Sequence, residues 1–216
     1  MAHNHGTPES ETFDRAYWED RYGAPGLTWS GNPNPVLVAE TSTLAPGRAL
    51  DIGSGEGGDA FWLASQGWTV AGIDISQNAL DKSRLRIEAL DAAAAARIRW
   101  EQHDLTEWLP DAQAFDLVSS QFMHLPEPAR SILFRGLAAA VAPGGTLLIV
   151  GHDIGDQDLT EHRNHKRELM FSVDEVLAAI DGEGLRVDVA EVRPRENAGP
   201  DSKHAHDVVV KASRPQ

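Results

Sequence analysis

The sequence contains no cysteine, which excludes disulfide bonds and a thiol nucleophile. It has no apolar run near the eighteen or so residues that a membrane span needs, and no basic-then-apolar signal opens it. Basic residues are scarce, because 19 Lys and Arg stand against 33 Asp and Glu, giving a net charge of −14. Such a surface repels phosphate backbones and anionic membranes, so we expect no nucleic-acid partner, no membrane partner and a cytoplasmic location.

The composition fits one domain. The 216 residues are 41% hydrophobic and 24% charged, which is ordinary for a protein with a substantial buried core. Residues 1–10 are polar and lack periodicity, so we expect a disordered tail there. We expect residues 11–47 to form an N-terminal helical lid and residues 48–216 to form the main domain.

Aromatic side chains in the first segment recur at helical spacing, Tyr17 and Tyr22 among them, and the pattern ends at Gly23. Tyr17 either packs on the domain or covers a substrate, and the sequence supports both interpretations equally. Trp29 is the one large apolar group of a turn-rich loop. We predict that it forms the wall of a pocket.

The stretch from Arg48 to Ser76 organises the rest of the chain. An apolar strand runs into the glycine-rich turn Gly53–Gly58, and a short helix follows. A second apolar strand, Thr69 to Ile75, is interrupted by Asp74 near its carboxyl end. A unit of strand, glycine turn, helix, strand and acid binds a nucleoside-bearing cofactor at the carboxyl edge of a parallel sheet.

Two acids indicate which cofactor this is. Asp74, about twenty residues beyond the first glycine, is placed to accept hydrogen bonds from both ribose hydroxyls. Asp51 repels a pyrophosphate but attracts an ammonium group. A cofactor with a ribose, a cationic amino acid and no phosphate is S-adenosylmethionine. The spacing Gly53-x-Gly55-x-x-Gly58 also fits dehydrogenases, so a nucleotide-dependent oxidoreductase stays an alternative.

Five motifs together resemble class I S-adenosylmethionine-dependent methyltransferases. They cover roughly residues 35–212 and follow the order of that family. They are Asp51-Ile-Gly-Ser-Gly-Glu-Gly57, Gly72-Ile-Asp74-Ile-Ser76, His103-Asp104-Leu105, Phe115-Asp-Leu-Val-Ser-Ser120 and Pro143-Gly-Gly-Thr146. The N-terminal Tyr17-Trp18-Glu-Asp-Arg21-Tyr22 resembles the small-molecule branch with the tellurite-resistance and thiopurine enzymes.

The resemblance implies a fold and a cofactor site. The fold is α/β: a Rossmann-like, doubly wound sheet of seven strands, mostly parallel with an antiparallel last strand, with helices on both faces. Asp104 is expected to accept the adenine amino group while Leu105 contacts the ring. The cofactor-binding residues that we predict are Asp51, Gly53, Ser54, Gly55, Asp74, Ile75, Asp104, Leu105 and Ser119.

Candidate bases for the reaction are histidines that follow strands. His152 follows the fifth strand and His124 the fourth, where a substrate approaches the methyl group, so we predict His152 and then His124 as base or substrate-orienting group. His103 is a third candidate. His162 and His165 have metal-ligand character, but charged residues around them favour a solvated surface, so we predict no metal.

These observations predict an S-adenosylmethionine-dependent methyltransferase that acts on a small molecule by direct in-line transfer. The substrate-binding residues that we predict are Trp29, Tyr17, His124 and His152. Besides the oxidoreductase, a non-catalytic S-adenosylmethionine-binding module stays an alternative. A monomer or a homodimer is expected.

Overall fold

A computed structural model describes residues 13–123, 125–155, 168–195 and 205–216. Within these residues one seven-stranded sheet carries helices on both faces. The strands are β1 (Arg48–Ile52), β2 (Thr69–Asp74), β3 (Ile98–Gln102), β4 (Phe115–Gln121), β5 (Val141–His152), β6 (Arg186–Pro194) and β7 (His206–Ser213). The helices are α1 (Arg15–Gly23), α2 (Pro35–Thr41), α3 (Gly58–Ser65), α4 (Gln77–Leu90), α5 (Ala92–Ala95), α6 (Ala129–Ala140) and α7 (Val173–Ile180).

The order of the strands across the sheet is β3-β2-β1-β4-β5-β7-β6. Pairs among β1 to β5 are parallel, whereas β7 lies antiparallel between β5 and β6. The predicted fold class is therefore confirmed. From β1 the chain continues to β2 and β3 on one side of β1 and then crosses to β4 on the other side. The crevice between β1 and β4 is therefore the switch point at which such sheets bind ligands.

Each face of the sheet has its own apolar core. The core that Phe134 and Phe171 share includes α6 and α7, and the core around Leu37 and Leu63 includes α2 and α3. Strand residues alternate between them, since Leu147 and Ile149 of β5 lie in the first core while Leu148 and Val150 lie in the second. By the same alternation His152 extends on the α2 face.

Two local predictions differ from the structure. The sequence predicts one helix over 77–96, but Asp91 has φ −156° and its side chain accepts from the amides that begin α5, so the helix is split. The apolar run Thr146 to Val150 predicts a strand that starts at Thr146, whereas β5 starts at Val141, because Phe115 pairs with Val141 across a register shift. In the described part of the chain, no helix has both the length and the apolar character to cross a membrane.

Candidate functional site

The glycine loop lies at the carboxyl end of β1 and turns into α3. Gly53 has φ +68° and Gly55 has φ +51°, a region that side chains disfavour. A β-carbon on Gly55 would lie 3.0 Å from the hydroxyl of Tyr22, and one on Gly53 would lie 3.0 Å from Met123. The glycine loop thus packs closely between the N-terminal segment and the loop after β4, which leaves little space for side chains at Gly53 and Gly55.

Asp51 is a buried carboxylate with an unused oxygen. Its side chain is 2% exposed, and among the described residues its Oδ2 has no hydrogen-bond partner. Burial, with the charges of Asp59 and Asp74, raises the pKa of Asp51 well above its usual range. An orphaned oxygen among acids is suited to a cation. The residues present therefore fit the ammonium end of S-adenosylmethionine.

Asp74 ends β2 beside the same loop. Its Oδ2 accepts from the Gly55 amide at 2.8 Å and its Oδ1 from the Ser76 amide at 2.9 Å. Burial raises the pKa of Asp74, although these hydrogen bonds oppose the shift. The sequence predicted free acceptors for a ribose. In the structure both oxygens already accept from backbone amides, and the Ile75 amide also hydrogen-bonds this carboxylate, so the ribose role stays a prediction.

The other predicted cofactor residues line the same edge. Oδ1 of Asp104 accepts from the backbone amide and hydroxyl of Thr106, at 2.9 and 2.6 Å. Leu105 packs against the core of the α6 face, and the carbonyl of Ile75 accepts from Gln102 at 2.9 Å. His103 stacks on Trp108 with ring centres 4.3 Å apart.

The end of β4 carries a second orphaned polar group. The Ser119 hydroxyl is buried and accepts from Nε2 of Gln121 at 3.0 Å. Oε1 of Gln121 and the hydroxyl of Ser54 have no partner among the residues that the structure describes. Two strands that flank the switch point thus carry unused polar atoms, as a polar ligand requires.

The N-terminal segment is fastened to the glycine loop by an acid that the sequence analysis missed. Glu56, only 3% exposed, accepts from the amides of Thr28 (2.8 and 2.9 Å) and Trp29 (3.0 Å). Lys82 lies 3.6 Å from this carboxylate. One feature of the sequence could have indicated a structural role for Glu56: it is an acid inside a glycine loop, where it would repel an anionic ligand.

A second missed acid, Glu19, caps α4. It accepts from the amides of Gln77 and Asn78 at 2.9 and 3.0 Å and from the Ser76 hydroxyl at 2.8 Å. Burial tends to raise the pKa of Glu19, but these hydrogen bonds prevail and lower it. Glu19 thereby joins α1 to the residues that follow Asp74.

The predicted substrate residues Tyr17 and Trp29 lie on this segment. The Tyr17 hydroxyl accepts from Arg21 at 3.3 Å, and the Arg21 guanidinium lies 4.8 Å from the Trp29 ring centre. The indole nitrogen of Trp29 donates to the Tyr22 hydroxyl at 3.0 Å. Trp29 is 51% exposed, so contact with a substrate stays a prediction for both residues.

His152 lies at the carboxyl end of β5, as the sequence predicted. Its Nδ1 is 3.4 Å from Oδ1 of Asp207, and its ring centre is 4.8 Å from that of Phe122. Arg195 contacts the other oxygen of Asp207. His124, the second predicted base, lies outside the described residues.

The described residues contain no group of three or more metal-ligating side chains. His162 and His165, which suggested a metal in the sequence, lie outside these ranges.

Comparisons with known proteins agree with this geometry. A sequence model of a methyltransferase domain matches residues 49–145. A probable thiol methyltransferase 2 of Arabidopsis thaliana is 32% identical over 65% of this chain and 63% of its own length. A trans-aconitate 2-methyltransferase of Sinorhizobium medicae is 33% identical over 54% of this chain and 43% of its own length. The chain thus spans less than two thirds of these curated relatives.

A solved structure shares the fold. The phosphoethanolamine N-methyltransferase 2 of Haemonchus contortus, in complex with S-adenosyl-L-methionine, superposes with a TM-score of 0.68 at 20% identity. The match covers 93% of this chain and 56% of that one. At this identity the likeness concerns the architecture of the sheet and its helices.

Proposed function

With the resemblance to class I S-adenosylmethionine-dependent methyltransferases confirmed by the matched methyltransferase domain and the fold, we propose that this chain methylates a small-molecule acceptor. The observation that carries the proposal is the buried Oδ2 of Asp51 beside the glycine loop, which has no hydrogen-bond partner in the part of the chain that the structure describes. It supports a cationic cofactor over a pyrophosphate-bearing one, because an anion placed there would meet the charges of Asp51, Asp59 and Asp74.

The residues that would hold the cofactor divide by chemistry. Asp51 would accept from the ammonium group, Asp74 from the ribose hydroxyls, and Asp104 with Leu105 would hold the adenine. Gly53 and Gly55 let the ligand approach the backbone, while Ser54, Ile75 and Ser119 complete the lining. The cofactor supplies an electrophilic methyl group on a sulfonium.

The chain then orients the acceptor and excludes water. His152 is the group that takes a proton from a neutral acceptor as its oxygen, nitrogen or sulfur attacks the methyl carbon. Phe122 covers one side of the imidazole. The segment 13–47 acts as the cap over this edge, because Glu56 and Glu19 join it to the turns that follow β1 and β2, the strands that carry Asp51 and Asp74.

A thiol is the acceptor class that we favour. The thiol methyltransferase of Arabidopsis thaliana is 32% identical to this chain, and a thiol with an unperturbed pKa of about 8.5 still carries a proton at neutral pH that an imidazole can take. A cytoplasmic location and a monomeric or homodimeric state stay predictions.

Binding and turnover together test the proposal. Calorimetry with S-adenosylmethionine, S-adenosylhomocysteine and reduced nicotinamide dinucleotide should show binding of the first two only. 2-Mercaptoethanol, trans-aconitate and phenol are then offered as acceptors, with S-adenosylhomocysteine release as the readout. Binding of the nicotinamide alone would favour the oxidoreductase, and binding without any turnover would favour a non-catalytic module.

The role of His152 is tested by substitution. With 2-mercaptoethanol or phenol, which carry their proton at neutral pH, His152→Ala should lower turnover roughly 100-fold or more, since acid-base groups contribute on the order of 10²–10⁴. The affinity for S-adenosylhomocysteine should stay unchanged. The control variant is Glu88→Gln, because Glu88 is exposed on α4. Equal activity of wild type and His152→Ala would remove His152 from the mechanism.

A further inference from the structure

Asp207 lies directly opposite His152 across the antiparallel pair of β5 and β7. Both side chains extend on the α2 face, since Val150 and Val209, two residues away along each strand, belong to the core on that face. Nδ1 of His152 lies 3.4 Å from Oδ1 of Asp207, which is 6% exposed. A buried carboxylate therefore faces one particular nitrogen of the imidazole.

The other oxygen of Asp207 is taken by a cation. Nε of Arg195 lies 3.4 Å from Oδ2, and its guanidinium stacks 5.1 Å from the ring centre of Phe122. The backbone of Arg195 is held as well, because its amide donates to the carbonyl of Ala205 at 2.9 Å. The guanidinium fixes which carboxylate oxygen is left for His152.

Phe122 connects this corner to the cofactor loop. It has φ +54°, a conformation rare for a residue with a side chain, and its amide donates to the Val150 carbonyl at 2.8 Å. The next residue, Met123, lies against Gly53. A continuous series of contacts therefore leads from the glycine loop to His152.

We propose that Asp207 is a positioning residue that accepts Nδ1–H of His152 and so holds the imidazole in the tautomer whose Nε2 is unprotonated. Which nitrogen carries the proton is set by the partner of the other one. In the reaction the proton of the acceptor moves to Nε2, the acceptor atom forms its bond to the methyl carbon, and the carbon–sulfur electron pair stays on sulfur. Asp207 then stabilises the imidazolium until water takes the proton. The catalytic use of Nε2 rests on the proposed function, whereas the tautomer does not.

Asp207→Asn tests the tautomer without any acceptor or cofactor. An amide group would turn its oxygen to Arg195, because its NH2 cannot donate to a guanidinium. The NH2 would then face Nδ1 of His152, which must accept, so the proton moves to Nε2. The tautomer is read from long-range ¹H–¹⁵N correlation spectra of the imidazole at about pH 8, where an ordinary imidazole is neutral. His152→Gln assigns the signal.

We expect the Nδ1–H tautomer in the wild type and the Nε2–H tautomer in Asp207→Asn. Asp153 and His206 are the other titratable residues adjacent in sequence, and Asp153→Asn is the control, since its side chain extends to the opposite face. An Nε2–H tautomer in the wild type, or no change in Asp207→Asn, would overturn the proposal.

Turnover provides the second readout. With 2-mercaptoethanol or phenol, which both carry their proton at neutral pH, Asp207→Asn should lower kcat about 10- to 100-fold, whereas turnover of trans-aconitate, whose carboxylates are already ionised, should stay at the wild-type rate. The dissociation constant for S-adenosylhomocysteine should stay within about twofold of the wild type. A reversed tautomer with unchanged kcat for 2-mercaptoethanol and phenol would refute the positioning role. If none of the three acceptors is methylated, the proposed function fails, while the spectra still decide the tautomer.

Discussion

Asp51→Asn should change cofactor affinity and stability in opposite directions. The carboxylate is 2% exposed and its Oδ2 has no partner among the described residues. An ammonium group placed there would meet an acceptor that water does not compete for. Loss of such a charged hydrogen bond costs about 1.5–3 kcal/mol of binding free energy, which corresponds to a roughly 10- to 150-fold higher dissociation constant.

The same substitution should stabilise the empty protein at high pH. Burial raises the pKa of Asp51, so the folded state is penalised once the pH exceeds the unfolded value and the penalty grows until the folded group ionises. Asn carries no charge, although its NH2 lacks a partner as well. We expect a gain of about 1 kcal/mol at pH 8, roughly 2–4 °C in Tm, and no gain near pH 4.

Calorimetry with three ligands and thermal unfolding at two pH values measure both effects. S-adenosylmethionine and S-adenosylhomocysteine carry the ammonium group, whereas methylthioadenosine lacks it. Asp51→Asn should therefore weaken the first two ligands and leave methylthioadenosine unchanged. Equal loss for all three ligands, or an unchanged affinity for all, would refute the assignment of Asp51 to the ammonium group.

Three further substitutions separate the remaining roles. Asp74→Ala should weaken the binding of S-adenosylmethionine and of methylthioadenosine alike, by about 1.5–3 kcal/mol, as measured by the same calorimetry. Weaker binding of only one of the two ligands would contradict the ribose role. Burial raises the pKa of Asp59 from 3.8 to about 6, so the folded state loses stability as the pH rises through that interval. Asp59→Asn should therefore raise the free energy of unfolding by at most about 3 kcal/mol at pH 8 and leave it unchanged at pH 3.5. A gain of equal size at both pH values would argue against the raised pKa. Glu56→Gln should destabilise by about 1–3 kcal/mol and speed hydrogen exchange at the Thr28 amide, while the exposed Glu88→Gln should do neither.

The sequence predicted the fold because its signals are local. The apolar strand before Gly53 and the apolar strand that ends at Asp74 each occupy a short stretch, and their order along the chain defines the parallel sheet. The position of His152 at the end of β5 follows from the same pattern. The roles of these residues toward cofactor and substrate stay predictions.

The hydrogen-bond partners of these residues could not be predicted from the sequence, for a physical reason. Glu19 meets Ser76 across 57 positions, and Asp207 meets His152 across 55. Such contacts depend on strand register and on the docking of a helix, and neither leaves a periodic trace in one sequence. Asp91 shows the same limit locally, since an acid before an alanine run continues a helix or begins a new one equally well.

The insertion of β7 between β5 and β6 has a consequence for the time course of folding during synthesis. β6 pairs with β7, so the sheet beyond β5 waits until residues 206–213 have left the ribosome. His152 is made 55 residues before Asp207 and meets it only when β7 enters the sheet. A nascent chain without β7 therefore lacks the His152–Asp207 pair, whatever part of the sheet has formed by then.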